Sequence, residues 1–163
     1  MARELGVGII GCGNISTTYF SLAPLFRGLK VVACADINPA AAEARAAEYS
    51  VKAQSIDELL ANDEVDIVVN LTIPDAHYPV SKRILEAGKH VYSEKPLVLS
   101  LEQGEDLRAI AKARGLHVGC APDTFLGGAH QLARAYIDKG GIGRVTSGTC
   151  HVMSPGMEMW HPN

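Results

Sequence analysis

The chain has 163 residues, a formal net charge of −3, and 47% hydrophobic against 20% charged residues. That length suits one domain with a full core and is short for two, and the balance excludes a disordered or low-complexity chain. With a pI near 6.0 there is no broad positive field to collect nucleic acid or an anionic membrane, so a small molecule is the expected partner.

Leu5 to Ile10 is a continuous apolar run ending in Gly11-Cys12-Gly13-Asn14, the pattern of a strand buried on both faces and stopped by a tight turn. Helical spacing over Ile15 to Phe26, a stop at Gly28 and the apolar run Lys30 to Ala35 complete a βαβ unit. Asn38-Pro39 supplies an N-cap and a first-turn proline for the alanine-rich helix Ala40 to Tyr49. Ser55-Ile56-Asp57-Glu58 reads as a capping box opening a helix to about Asn62, and Val65 to Leu71 as the next buried strand. A helix over Ala76 to Ala87 stops at Gly88, and a short strand follows at His90 to Ser93. Ser100 to Gln103 reads as a second capping box, opening a helix that ends at Gly115. Leu116 to Ala121 is a strand, and Gly128 to Lys139 a helix stopped by Gly140-Gly141.

Sustained alternation of strand and helix requires crossovers and a mostly parallel sheet covered on both faces. The expected fold is α/β, a doubly wound parallel sheet over residues 1–143. Arg144 to Met153 reads as one further strand without a following helix, so 144–163 is expected to begin a second, α+β domain. The four cysteines, Cys12, Cys34, Cys120 and Cys150, have neither C-x-x-C spacing nor histidines at ligand spacing, which predicts free thiols in a cytoplasmic protein and no metal site. Cys34 and Cys120 lie in apolar runs and read as small buried hydrophobes. The apolar run after Arg3 and Glu4 is too short for a signal-peptide core or a membrane span.

The chemistry is expected at the glycine turn. Gly11-Cys12-Gly13-Asn14-Ile15-Ser16 matches G-x-G-x-x-G/A in its two glycines, with small Ser16 in the third position. The first glycine makes the turn, the second admits a pyrophosphate, and the helix from Ile15 presents free N–H groups to it. Asp36 ends the second strand, where a carboxylate accepts both ribose hydroxyls of a dinucleotide and repels a 2′-phosphate. NAD is therefore expected over NADP. The plain alternative for Asp36 is a turn residue before Asn38-Pro39.

Ligands of open parallel sheets bind beyond the carboxyl ends of the strands, which brings in Thr72-Ile73-Pro74, with His77 at the helix start, and Glu94-Lys95-Pro96. A desolvated lysine beside a positively charged nicotinamide can accept a hydroxyl proton during hydride transfer. The alternative for Lys95 is a solvated surface lysine paired with Glu94.

Taken together, the glycine turn, Asp36, Pro74 with His77, Ala87-Gly88-Lys89-His90-Val91 and Glu94-Lys95-Pro96 resemble the glucose-fructose oxidoreductase, inositol dehydrogenase and MocA family. Pro122-Asp123-Thr124-Phe125, Gly141-Ile142-Gly143 and Trp160-His161-Pro162 resemble it too. The resemblance implies an N-terminal Rossmann domain, a second domain that binds sugar- or polyol-like substrates and builds homo-oligomers, and hydride transfer to or from a hydroxyl. It implies a proton-transfer role for Lys95 beside the nicotinamide, and a cofactor crevice lined by Thr72, Ile73, Pro74, His77 and Glu94. Other readings stay open: a non-catalytic NAD-binding module, NAD-dependent glycoside cleavage within the same family, and a methyltransferase with a similar glycine loop, which the Glu94-Lys95-Pro96 turn argues against.

Overall fold

The computed structural model describes residues 3–122, 124–153 and 155–156. The chain forms two compact units, Met1–Pro122 and Asp123–Asn163.

The first unit is a sheet of six parallel strands: β1 (Leu5–Ile10), β2 (Leu29–Ala35), β3 (Lys52–Ala53), β4 (Ile67–Asn70), β5 (His90–Ser93) and β6 (Val118–Cys120), in the order β3-β2-β1-β4-β5-β6. The chain moves outward from β1 to β3, then returns to lay β4 on the other side of β1. The strand order thus reverses between β1 and β4, where the loops leaving two adjacent strands part and open a crevice.

Five helices cover the sheet: α1 (Ser16–Leu22), α2 (Pro39–Tyr49), α3 (Ile56–Ala61), α4 (Pro74–Glu86) and α5 (Leu101–Arg114). The near-continuous apolar strands need cover on both faces. One buried layer joins Val7, Ile9, Cys34 and Val69 to Phe20 of α1 and to Ala42 and Ala46 of α2; the other joins Ile10, Val68 and Val91 to Leu59 of α3, Ile84 and Leu85 of α4 and Leu107 of α5.

Local signals explain most boundaries. Asn38 caps α2 by accepting from the Ala40 N–H, with Pro39 in the first turn. Ser55 and Glu58 form the reciprocal capping box of α3. At α5 only half of the expected box forms, because Ser100 accepts from the Gln103 N–H while the Gln103 side chain accepts from the Leu99 N–H. The helix expected over Ile15 to Phe26 is α-helical only through Leu22 and closes in a 3-10 turn at Ala23–Leu25, since Pro24 brings no N–H to continue the ladder. Helix α4 begins at Pro74, two residues before its expected start, because Pro74 suits the first turn. Cys120, expected to be buried, is only half-buried on the outermost strand, whereas Cys34 in the interior is fully buried.

The second unit holds a 3-10 turn at Thr124–Leu126 and helix α6 (Gly128–Asp138), whose Leu132, Tyr136 and Ile137 are exposed. The strand expected over 144–153 is not formed: a strand exists only through ladder bonds to a neighbour, and none is present among the described residues. No helix of the described residues is long and apolar enough to cross a membrane.

Candidate functional site

The site is built at the carboxyl ends of β1, β2, β4 and β5. Gly11 leaves β1 at φ +102°, and a Cβ there would lie 2.6 Å from the Leu71 carbonyl oxygen. Both the backbone conformation and the close approach of the β4 exit therefore demand glycine. Gly13 differs, because a Cβ there would meet nothing within 4 Å. The fold leaves open space above Gly13, into which a ligand backbone can descend.

Asp36 fixes the turn from β2. Its Oδ2 accepts the Cys12 N–H at 2.7 Å and its Oδ1 accepts the Asn38 N–H at 2.8 Å. The carboxylate thus serves both as a turn residue before Asn38-Pro39 and as an anchor of the glycine loop, and it stays part-exposed at the crevice. The buried Cys12 side chain points inward, its thiol raised above the ordinary range by its hydrogen bond with Cys34 and then by burial. Gly13 and Asn14 are exposed and Ile15 half-exposed, and their N–H groups take no acceptor among the described residues. A row of open donors beside a space cleared of side chains fits a dinucleotide phosphate.

The exit of β4 forms the opposite wall. Asn70 is buried and fully used: its Nδ2 donates to the His77 carbonyl and to Ser81 Oγ, each at 3.0 Å, and its Oδ1 accepts the Thr72 hydroxyl at 2.7 Å and the Thr72 N–H at 3.2 Å. This fixes Thr72 and leaves Ile73 and Pro74 exposed on the turn. His77 is 1% exposed. Its Nδ1 lies 2.5 Å from the Pro96 carbonyl and its Nε2 2.8 Å from the Thr72 carbonyl. The ring has no nitrogen left for a ligand; it ties the loop after β4 to the loop after β5 from beneath.

The exit of β5 carries Glu94-Lys95-Pro96, with a cis peptide between Lys95 and Pro96. Glu94 Oε1 accepts the Tyr19 hydroxyl at 2.9 Å and Oε2 accepts the Lys95 N–H at 3.0 Å. The Lys95 side chain is exposed and its ammonium has no hydrogen bond or ion pair among the described residues. The pairing with Glu94 that the alternative reading of Lys95 required is not formed. Just before this turn, the buried Ser93 hydroxyl has no hydrogen-bond partner among the described residues.

Tyr19 and Ile37 escaped the sequence reading. Ile37, next to Asp36, is 91% exposed, and only an apolar residue directly after the acidic strand end could have drawn attention to it. Nothing local marks Tyr19 as the partner of a residue so distant in sequence. Asp123 and Trp160-His161-Pro162 lie outside the described residues. Among the described residues no group of His, Cys, Asp or Glu could hold a metal ion.

Comparison with known proteins decides the family. Residues 5–121 match the sequence profile described as an oxidoreductase family with an NAD-binding Rossmann fold. The chain belongs to the glucose-fructose oxidoreductase, inositol dehydrogenase and MocA family. It is 37% identical over 121 residues to the uncharacterized oxidoreductase YdgJ of Escherichia coli, covering 71% of this chain and 33% of that protein. It is 35% identical over 96 residues to inositol 2-dehydrogenase of Rhizobium meliloti, covering 59% of this chain and 28% of that protein. The WlbA dehydrogenase of Bordetella pertussis, solved with NADH and UDP-GlcNAcA, superposes with a TM-score of 0.82 at 26% identity, over 87% of this chain and 42% of that one. The chain spans about a third of the curated relatives it matches. Residues 5–121 are the part of the chain that matches this oxidoreductase family's NAD-binding Rossmann fold.

Proposed function

We propose that this chain is the cofactor half of a dehydrogenase that moves a hydride between NAD and a hydroxyl of a sugar- or polyol-like substrate. The observation that carries the reading is the glycine loop: Asp36 holds it by the Cys12 N–H, the Gly13, Asn14 and Ile15 N–H groups take no acceptor among the described residues, and a Cβ at Gly13 would meet open space. Bound there, the nicotinamide would supply the hydride chemistry. Gly11, Gly13, Asn14 and Ile15 shape the phosphate site. Asp36 accepts from the ribose, and its charge disfavours a 2′-phosphate. Thr72, Ile73, Pro74 and Glu94 line the crevice, and His77 supports it from below. Lys95 exchanges the hydroxyl proton as hydride leaves or arrives.

In the whole protein, residues 1–143 form the cofactor domain, and 144–163 begin a second domain that selects the substrate and builds a homo-oligomer. Four free cysteines support a cytoplasmic home for it. Nucleic acid is not among its partners. The sugar nucleotide and inositol in the names of related proteins support a polyhydroxylated substrate.

Titration calorimetry of the chain with NADH and NADPH tests the cofactor assignment. NADH is expected to bind about tenfold or more tightly than NADPH, a preference of the size a repelled phosphate charge provides. No heat with NADH at millimolar concentration would sink the reading, and an NADPH preference would remove the role given to Asp36.

A further inference from the structure

An exposed lysine directly after a glutamate is ordinarily expected to share its charge with that neighbour. Here the carboxylate is occupied elsewhere. One oxygen of Glu94 accepts the Tyr19 hydroxyl at 2.9 Å, and the other accepts the Lys95 backbone N–H at 3.0 Å. Tyr19 stands on α1, the helix that leaves the glycine loop, so this bond spans the crevice between the β1 and β5 exits. On the far side of the lysine, the Pro96 carbonyl is held by His77. Both flanks of Lys95 are thus fixed while its ammonium has no partner among the described residues.

We infer that Tyr19 is a positioning residue, which holds the Glu94 carboxylate away from Lys95 and so keeps that amine available for proton exchange. A carboxylate at ion-pair distance stabilises an ammonium and lowers the fraction of free amine; the free amine is the form that accepts a proton. Tyr19 prevents that stabilisation by acting through Glu94. Its hydroxyl satisfies a part-buried carboxylate whose neighbour along the chain is the Lys95 cation. The inference rests on the proton-transfer reading of Lys95 above.

The test measures amine availability directly. The full chain is treated with an acylating N-hydroxysuccinimide ester at pH 8, the labelling rate of Lys95 is followed by peptide mass spectrometry, and NADH affinity is measured in parallel by fluorescence. Tyr19→Phe is expected to slow Lys95 labelling about threefold or more with NADH affinity kept within about twofold. Adding Glu94→Gln to Tyr19→Phe is expected to restore the rate, because the released carboxylate is then gone. A merely structural role for Tyr19 predicts no such rescue. Unchanged labelling in Tyr19→Phe, or a fall that Glu94→Gln does not reverse, overturns the inference.

Should Tyr19→Phe not fold, Glu94→Gln alone decides the matter. Labelling within about twofold of the unaltered chain supports a carboxylate already held off the lysine, and a severalfold rise shows that Glu94 grips the ammonium and overturns the inference. Failure of the unaltered chain to bind NADH would instead defeat the cofactor reading, and the labelling comparison is read separately from it.

Discussion

At the amino ends of the strands, polar groups are consumed by one another. Asp66 accepts the Gly6 N–H at 2.8 Å and pairs with Arg3. The buried Lys89 ammonium donates to the Asn62 and Val65 carbonyls, each at 2.8 Å. His90 Nδ1 accepts the His117 N–H. At the carboxyl ends the same strands leave the Gly13, Asn14 and Ile15 N–H groups and the Lys95 ammonium without a partner among the described residues. Local bonding spent inward makes a stable edge, and bonding capacity kept outward makes a binding edge.

The sharpest way to break this comparison is at the two glycines. Gly11→Ala forces a side chain to φ +102° and to 2.6 Å from the Leu71 carbonyl, and is expected to cost about 3 kcal/mol in urea unfolding. Gly13→Ala has room in the chain itself; it is expected to leave stability within about 0.5 kcal/mol and to weaken NADH binding at least about tenfold. Equal losses of stability in the two variants would remove the distinction between a folding glycine and a ligand glycine.

The next effect belongs to the opposite edge. Burial pushes the Lys89 ammonium below its ordinary range, with Asp63 and Asp66 opposing. Lys89→Met strips a donor from two carbonyls and is expected to cost about 2 kcal/mol while NADH affinity stays unchanged. Loss of NADH binding in a folded Lys89→Met chain would show that the two ends are not independent.

Asp66 gives the comparison a pH signature. Desolvation raises its carboxyl, but the Gly6 N–H and then Arg3 outweigh it, so the folded value lies below the usual carboxylate range. A depressed folded value means stability that is complete above the unfolded value of about 4 and lost as pH falls through the folded value. Asp66→Asn is expected to cost about 1.5 kcal/mol at neutral pH and to flatten the decline of thermal stability below pH about 4. An unaltered acid slope would assign that decline to other carboxylates.

The smallest expected effect is a gain. Ser93 carries a fully buried hydroxyl without a partner among the described residues, so Ser93→Ala is expected to stabilise the chain by about 1 kcal/mol in the same unfolding assay. A loss of similar size would mean that the hydroxyl is bonded in solution.

Much of the sheet was legible because buried parallel strands are written as apolar runs and most helices carry their own caps. Strand β3 was not, since two residues have no periodicity, and its pairing with Ala33 and Cys34 is purely tertiary. The strand expected over 144–153 failed for the converse reason: β-forming residues do not make a strand without a neighbour. At the site, the spacing of the glycine turn and Asp36 placed both at neighbouring strand exits, whereas the Asp36 bond to the Cys12 N–H that joins them was not readable from it. The inward use of His77 and the Tyr19–Glu94 bond were not readable. Both join segments that come together only once the sheet has formed, and a histidine near a strand exit carries the same letter whether it faces a ligand or two carbonyls.

The open amides above Gly13 have one more consequence. A protein whose donors await an acceptor has a melting temperature that depends on its surroundings, because a ligand that binds only the folded form stabilises it by about 2.7 kcal/mol at a hundredfold excess over its Kd. If the loop takes up a dinucleotide, the folded chain is expected to resist unfolding in proportion to the ligand's free concentration, so a melting curve taken across a dinucleotide titration reads the binding site through stability alone.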